Sequence, residues 1–320
     1  MPFDAILDAD DCGRFEQYCK GGGFVATYNC LTDWNGKGPI IAPLEGHDGK
    51  ENVYGGYSES IVVDENFVLR IPDNLDLAPA APLLCAGITT YSPLAHWGAL
   101  KKGADCRVGV VGFGGLGHMA VKIAIAAGNQ VTVFSTSDGK KAQIEALGAK
   151  FVCSKDIDQM KAMQDSQDLI IDTVSASHNI ENLLKCVDHD GTLCVVGIPS
   201  ENLDFHATKV IGGRKSVSGS LIGGIPETQE MLDFCGKHGI TADIKLIHPK
   251  ELNHAMANMR YNSKASERVV IDVLNGMKDG TNWEVEDDEK VNAKHTKLHP
   301  EANILPKSAK HPDHQGQGKP

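Results

Sequence analysis

Residues 107–118 read RVGVVGFGGLGH, and this stretch decides the fold. Its first five residues predict a buried strand, and a segment with helical spacing follows it. Between them, the pattern G-x-G-x-x-G falls on Gly112, Gly114 and Gly117. In that context Gly112 permits a tight turn, Gly114 lets the backbone approach a pyrophosphate, and Gly117 allows close packing of helix on strand. The stretch predicts a dinucleotide site, and the alternative is a glycine-rich turn with only a structural role.

The segments around this turn continue the alternation of short apolar runs with amphipathic stretches. The predicted strands are 60–63, 67–71, 107–111, 131–134, 169–171 and 193–196, and the predicted helices are 78–100, 119–127 and 140–147. Strands that alternate with helices are typical of an α/β fold, in which a doubly wound parallel sheet carries helices on both faces.

Composition excludes several classes of function. The 320 residues include 31 Lys and Arg against 42 Asp and Glu, a net charge of −11, which disfavours a nucleic-acid partner. No apolar run approaches the ~20 residues of a membrane span, and the first residues lack the features of a secretory signal. The nine cysteines are an odd number and lie mostly in apolar segments, which favours a reducing compartment, the cytoplasm.

The end of the second strand of the nucleotide unit selects the cofactor. NAD sites place an acidic residue there for the ribose 2′-hydroxyl. This chain has Ser135, Thr136 and Ser137, followed by Asp138 and Lys140. Small hydroxyl groups leave room for a 2′-phosphate, and Lys140 supplies positive charge. The sequence therefore predicts NADP(H); the alternatives are a solvated helix start for Lys140 and a helix N-cap for Asp138.

Several motifs resemble those of a known family, and they occur in the family's order. They are AAPLLCAGITTYSPL at 80–94, GFGGLGH at 112–118, STS at 135–137, GSLIGG at 219–224, ETQEMLDFC at 227–235 and RVVID at 268–272. On these motifs the chain resembles the cinnamyl alcohol dehydrogenase group of zinc-dependent medium-chain alcohol dehydrogenases. The similarity extends from about residue 10 to residue 272.

The resemblance implies a Rossmann-type doubly wound parallel sheet together with a partial GroES-like β-rich catalytic domain. The implied limits are 1–80 for the partial GroES-like domain, 81–225 for the NADP-binding Rossmann domain, and 226–273 for a return segment that completes both. Residues 274–320 are rich in charged residues, His, Pro and Gly, and predict a disordered tail. The four histidines of that tail leave metal binding as an alternative.

The resemblance also implies an activity, which is hydride transfer between NADPH and an aldehyde or primary alcohol with zinc as Lewis acid. A small-molecule aldehyde or alcohol is the expected partner, and a homodimer paired through sheet edges at 216–222 is a further expectation. Two alternatives stay open: an NADPH-binding protein without catalysis, and a zinc-free NADPH reductase of quinones or enones.

Residue by residue, the resemblance places Cys85 at the family's late ligand of the catalytic zinc. Thr89 lies one helical turn later, on the face that meets the cofactor. The other positions implied to contact the cofactor are Gly115, Leu116, Thr173, Gly197, Ser220, Ile222 and Arg268.

The chain departs from the family's metal-binding pattern. The early Cys and the Gly-His-Glu segment that complete the catalytic zinc site have no match here. Gly-His-Asp at 46–48 lies too far along the chain to replace them. Cys12 and Cys19 match two of the four cysteines of the structural zinc loop, and two thiolates cannot close a tetrahedral site. We therefore expect the zinc ligands of this chain to be incomplete.

Overall fold

The computed structural model describes residues 6–8, 16–19, 24–27, 68–101, 105–199, 201–261 and 268–273. The predictions for residues 60–63 and 274–320, and the predicted metal ligand Cys12, lie outside these ranges. Cys19 is described only as a residue of a strand.

The described strands and helices alternate through most of the chain. The strands are β1 (Ile6–Asp8), β2 (Glu16–Cys19), β3 (Phe24–Thr27), β4 (Val68–Arg70), β5 (Arg107–Val111), β6 (Gln130–Ser135), β7 (Lys150–Cys153), β8 (Gln167–Asp172), β9 (Val187–Val195), β10 (Ser216–Gly219), β11 (Ile244–Ile247) and β12 (Arg268–Asp272). The helices are α1 (Leu77–Ala80), α2 (Ala86–His96), α3 (Gly115–Ala126), α4 (Lys141–Ala146), α5 (Ile157–Ala162), α6 (Ile180–Cys186), α7 (Thr208–Ile211), α8 (Ile225–His238) and α9 (Leu252–Tyr261).

The central sheet has six strands in the order β10-β9-β8-β5-β6-β7, and every neighbouring pair is parallel. Strand order reverses between β5 and β8, which is the switch point where α/β sheets bind ligands. The predicted doubly wound parallel sheet is thus confirmed. Two three-stranded sheets accompany it, β2-β3-β4, which is antiparallel, and β1-β12-β11. The domain limits stay predictions.

The inner strands β5, β6 and β8 are buried on both faces, which explains their near-continuous apolar sequences. Val110 and Ile171 pack into the core layer that contains α2 and α3. Their neighbours Val111 and Ile170 pack into the opposite layer, which contains α6. Because successive side chains of a strand point to opposite faces, each strand supplies both layers.

Three predicted helices differ in detail from the structure. The helix predicted at 119–127 begins earlier, at Gly115, because the glycine-rich turn itself forms the first helical turn. The helix predicted at 78–100 is divided into α1, a 3-10 turn (Ala81–Leu84) and α2, since Cys85 takes the non-helical angles φ −121° and ψ −73°. The helix predicted at 140–147 follows a 3-10 turn (Asp138–Lys140), in which Asp138 is not an N-cap.

In the part of the chain that the structure describes, no helix has both the length and the apolar character needed to cross a membrane.

Candidate cofactor site

The glycine-rich turn between β5 and α3 forms a cradle that is closed by protein on two sides. Gly112 has φ +84°, a backbone conformation that favours glycine. A Cβ at Gly117 would lie 2.2 Å from the carbonyl oxygen of Gly112. At Gly114, in contrast, a Cβ would meet no atom within 4 Å. The outer two glycines are therefore required by the fold itself, whereas Gly114 borders open space at the start of α3.

Arg268, the first residue of β12, packs against this turn. A Cβ at Gly115 would lie 2.7 Å from Cδ of Arg268, so a larger residue at position 115 would require that side chain to shift. Leu116 is half-buried in the same turn. The arrangement brings a guanidinium group to the N-terminal end of α3, where the helix dipole also favours an anion.

The end of β6 lies beside the turn. Ser135 ends that strand, and Thr136 and Ser137 are exposed. The ammonium group of Lys140 donates a hydrogen bond of 2.8 Å to the carbonyl oxygen of Phe113, in the middle of the glycine-rich turn. Burial lowers the pKa of Lys140. The hydroxyl groups and this cation thus lie where the sequence predicts a 2′-phosphate.

The loop after β8 forms the adjoining wall. The backbone N–H and the hydroxyl of Thr173 both donate to the carbonyl oxygen of Val111, at 3.1 and 2.7 Å. A Cβ at Gly197, which follows β9, would lie 2.4 Å from the carbonyl oxygen of Val174. The loops after β5, β8 and β9 are therefore in direct contact.

The turn after β10 completes this edge. The N–H of Ser220 donates to the carbonyl oxygen of Val195 at 3.1 Å. Ile222 has φ +53°, which is rare for a β-branched residue. Such strain is typical of functional sites, where the surroundings hold a residue in an unfavourable conformation.

All of the predicted cofactor contacts that follow a strand of the central sheet lie at the carboxyl ends of β5, β6, β8, β9 and β10. This is the edge at which doubly wound sheets bind dinucleotides. The hydroxyl oxygen of Thr89 is buried without a hydrogen bond among the described residues, and the space beside Gly114 is open. Both features fit a bound ligand.

Cys85 and Thr89 lie at the start of α2. Both side chains are buried, and the N–H of Thr89 donates to the carbonyl oxygen of Cys85 at 3.0 Å. The hydroxyl oxygen of Thr89 has no hydrogen-bond partner among the described residues. The neighbouring Ile88 packs against the turn after β10, since a Cβ at Gly223 would lie 2.6 Å from its Cδ1. The start of α2 is thereby connected to the cofactor edge.

The described residues do not fit a zinc site. Among them, no group of three or more His, Cys, Asp or Glu side chains is arranged to hold a metal ion. Cys85 supplies one buried thiol, and a catalytic zinc needs three protein ligands.

The sequence analysis missed three residues of this edge, Asp172, Val174 and His178. Asp172 ends β8 with its side chain fully buried, and its carboxyl group lies 2.7 Å from Nε2 of His178. Val174 packs between Gly112 and Gly197. An acidic residue directly after the apolar run 169–171 was the available signal, because a charge at that edge of the sheet is costly without a function or a partner.

Comparisons with known proteins agree with this geometry. The zinc-binding dehydrogenase family matches residues 115–237. A probable mannitol dehydrogenase of Medicago sativa is 45% identical over 275 residues, which are 85% of this chain and 71% of that protein. The NADP-dependent alcohol dehydrogenase C of Mycobacterium tuberculosis is 46% identical over 272 residues, 84% of this chain and 73% of that protein.

Solved structures show the same relationship. A cinnamyl alcohol dehydrogenase from Sorghum bicolor matches with a TM-score of 0.63 and 44% identity, over 70% of this chain and 62% of that one. CAD from Helicobacter pylori, complexed with NADP(H), matches with a TM-score of 0.61 and 43% identity, over 68% and 62%. The chain thus spans less than two thirds of these two structures. On its fold, its glycine-rich turn and these similarities, the chain belongs to the zinc-binding dehydrogenases of the medium-chain alcohol dehydrogenase family, in the group of the NADP-dependent and cinnamyl alcohol dehydrogenases.

Proposed function

We propose that this chain binds NADP(H) along the carboxyl edge of the central sheet and acts in hydride transfer between that cofactor and an aldehyde or primary alcohol. The observation that carries the proposal is the cradle at Gly114, which is open while its neighbours Gly112 and Gly117 are closed by packing. A relative named for NADP dependence and a relative bound to NADP(H) support the choice of cofactor.

The pyrophosphate is held by the N-terminal end of α3. The N–H groups of Gly115 and Leu116 belong to its first turn and have no carbonyl partner within the helix. Arg268 adds positive charge beside Gly115. Because α3 has 12 residues, its dipole contributes at this end.

The 2′-phosphate is held by Ser135, Thr136, Ser137 and Lys140. Lys140 is already directed to the glycine-rich turn through Phe113, so its ammonium group needs little reorganisation to meet a phosphate oxygen. The hydroxyl groups donate hydrogen bonds, whereas an acidic residue at this position would repel the phosphate.

The nicotinamide end lies along Thr173, Gly197, Ser220 and Ile222, with Thr89 beyond them. When bound, the cofactor supplies the hydride. The residues of the chain orient the ring and exclude water around it. The hydroxyl group of Thr89, which is buried and lacks a partner among the described residues, is available to donate to the carboxamide of the ring.

The thiol of Cys85 is the donor that a zinc ion would take in the described part of the chain, but one thiolate does not hold the ion. If Cys85 has the family's role, Cys85→Ser abolishes NADPH-dependent aldehyde reduction, measured with cinnamaldehyde. Full activity of that variant would remove the role. NADPH binding without turnover would instead favour the alternative of a cofactor-binding protein.

The binding test uses Gly114→Ala. The new methyl group meets no protein atom within 4 Å, and Gly114 has the extended angles φ −95° and ψ −160°, so the fold is preserved. The methyl group occupies the space proposed for the pyrophosphate, and we expect NADPH affinity to fall by at least about tenfold. Gly212→Ala is the matched control, because its Cβ would make only an ordinary contact of 3.5 Å with the carbonyl oxygen of Thr208, and it precedes β10 at the opposite edge. Equal affinity of both variants for NADPH would overturn the proposed site.

We also propose that two copies of the chain pair through β10. Within the described sheet β10 is an edge strand, and Val217 and Leu221 on and beside it are exposed. Unpaired edges of this kind invite another strand. Val217→Lys should convert a dimer into monomers, as measured by light scattering. The cytoplasm is the compartment we propose, since the buried thiols of the sheet suit reducing conditions.

A further inference from the structure

The end of β8 carries a buried acid that no part of the proposed binding scheme uses. The side chain of Asp172 is fully buried, between the strands that lead into Gly112 and Gly197. Its Oδ1 accepts a hydrogen bond of 3.1 Å from the N–H of Val174. Its Oδ2 lies 2.7 Å from Nε2 of His178, at the far end of the same loop.

The second nitrogen of His178 fixes the proton count of this pair. Nδ1 lies 2.8 Å from the carbonyl oxygen of Ala176, which can only accept, so Nδ1 carries a proton. One more proton then lies between Oδ2 and Nε2, whichever of the two groups holds it. The pair is neutral as a whole with this shared proton, and loss of the proton leaves a negative charge in a buried place.

The loop closed by this pair touches both halves of the proposed cofactor site. Val174 lies against Gly112 on one side and Gly197 on the other. Thr173 is bound to Val111, directly before the glycine-rich turn. After His178, the side chain of Asn179 caps α6, so the loop is anchored immediately beyond the pair as well. A change in the Asp172–His178 contact is therefore transmitted to the wall along which we place the nicotinamide ring.

We propose that Asp172 and His178 form a proton-sharing clasp that holds the 173–177 loop in its cofactor-binding shape. The inference rests on the proposed NADP(H) site and adds two residues that position its wall. Both members are positioning residues, since they act through Thr173 and Val174.

Burial dominates the electrostatics of the clasp within the described part of the chain. Burial raises the pKa of Asp172 and outweighs the opposite effect of His178, so the acid retains its proton more readily than an exposed one. The thiol of Cys194, on β9, faces Asp172, and burial, with a smaller contribution from that acid, raises its pKa to about 12. Cys194 therefore stays neutral at the pH of the test.

Asp172→Asn keeps the hydrogen bonds of the clasp but removes its shared proton. The amide oxygen can accept from Val174, the amide nitrogen can donate to Nε2, and Nδ1 of His178 keeps its bond to Ala176. Every hydrogen bond of the clasp is then made without the shared proton. His178→Phe, in contrast, fills the space but removes the partner of the acid. His189→Phe is the matched control, because His189 also contacts an aspartate, Asp188, at 3.2 Å, near the other end of the neighbouring strand.

The experiment measures NADPH dissociation constants of the full chain at about pH 7. We expect Asp172→Asn to bind as wild type, because it keeps the contacts of the clasp, and His178→Phe to bind about tenfold more weakly. His189→Phe should follow wild type. The clasp is overturned if Asp172→Asn binds as weakly as His178→Phe, or if His178→Phe binds like wild type.

Amide hydrogen exchange without cofactor separates this inference from the proposed function. His178→Phe should accelerate exchange at the amide of Val174 by at least about tenfold, because Asp172 loses the partner that fixes it. Circular dichroism confirms that each variant is folded. If wild type fails to bind NADPH while this acceleration is seen, the proposed function fails and the clasp stands. If binding is normal and the exchange is unchanged, the clasp alone fails.

Discussion

The two edges of the central sheet carry different sets of polar groups. At the amino edge, charges are paired with one another: Arg107 bridges Asp168 and Asp188, and Lys215 binds Asp165 at 2.8 Å. The bond to Arg107 lowers the pKa of Asp188 to about 2. At the carboxyl edge, the hydroxyl group of Thr89 is buried without a hydrogen bond among the described residues, and Gly114 borders open space close to the side chain of Arg268.

This difference separates stability from function within one sheet. Each charged group in the ion pairs of the amino edge already has a partner, so these pairs offer no group to a ligand. The groups of the carboxyl edge cost free energy in the protein alone, since a buried hydroxyl without a partner and a β-branched residue at positive φ are both unfavourable. Proteins retain such features where a ligand offsets them. Substitutions of the ion pairs at the amino edge should therefore change stability, whereas substitutions of the groups that face the proposed cofactor should change its binding.

Gly117→Ala should have the largest effect, and it sharpens the contrast inside the glycine-rich turn. The new Cβ would lie 2.2 Å from the backbone oxygen of Gly112, which cannot move aside as a flexible side chain could. We expect unfolding free energy to fall by more than about 3 kcal/mol, as measured by denaturant unfolding. Gly114→Ala, three residues away, should unfold like wild type. A Gly117→Ala protein of normal stability would contradict the described packing of α3 on β5.

The sheet and the turn were predictable because their signals are local. Apolar runs of strand length and glycines at fixed spacing report on neighbouring residues only, and both appear in the structure where the sequence places them. The interruption at Cys85 was not visible in the apolar spacing of 78–100, because it depends on a 3-10 turn in which the N–H of Cys85 donates to the carbonyl oxygen of Pro82. The contact of Arg268 with Gly115 joins residues distant in the chain; the family resemblance placed each of them at the cofactor but did not predict their contact. The Asp172–His178 pair was missed because the fold of a loop brings the two residues together, and no helical or strand periodicity in the sequence predicts that contact.

A second prediction concerns His118, which belongs to the carboxyl edge through α3. Its side chain is buried, with Nε2 3.1 Å from Asp243, and Lys122 and Arg268 are close enough to affect it. Burial first, and then Lys122, lower its pKa to about 4, with Asp243 acting in the opposite sense. The folded protein therefore resists a proton that the unfolded chain accepts near pH 6.5.

The sign of the pH effect follows from that difference. The contribution of His118 to stability is fully present above about pH 6.5 and is lost as pH falls toward about 4. We expect wild type to lose about 2 kcal/mol of unfolding free energy between about pH 7 and about pH 5 from this group. His118→Gln should remove most of that loss, measured by denaturant unfolding at both pH values. His189→Gln, at an exposed histidine of the amino edge, should leave the loss unchanged; an equal effect of both would show that His118 is not the source.

The smallest expected effect tests the amino edge, where Arg107→Ala leaves Asp168 and Asp188 without their shared cation. The side chains are more than a quarter exposed, so screening by solvent reduces the cost to about 1 kcal/mol. Because the pKa of Asp188 is depressed, the stability it contributes is present above about pH 4 and is lost as pH falls toward about 2. Arg107→Ala should therefore lower the melting temperature at neutral pH, have a weaker effect near pH 2, and leave NADPH affinity unchanged. Arg70→Ala breaks a pair with Asp73 that is far more exposed, and it should change stability less. If Arg107→Ala weakened NADPH binding as strongly as Gly114→Ala, the division of labour between the two edges would be wrong.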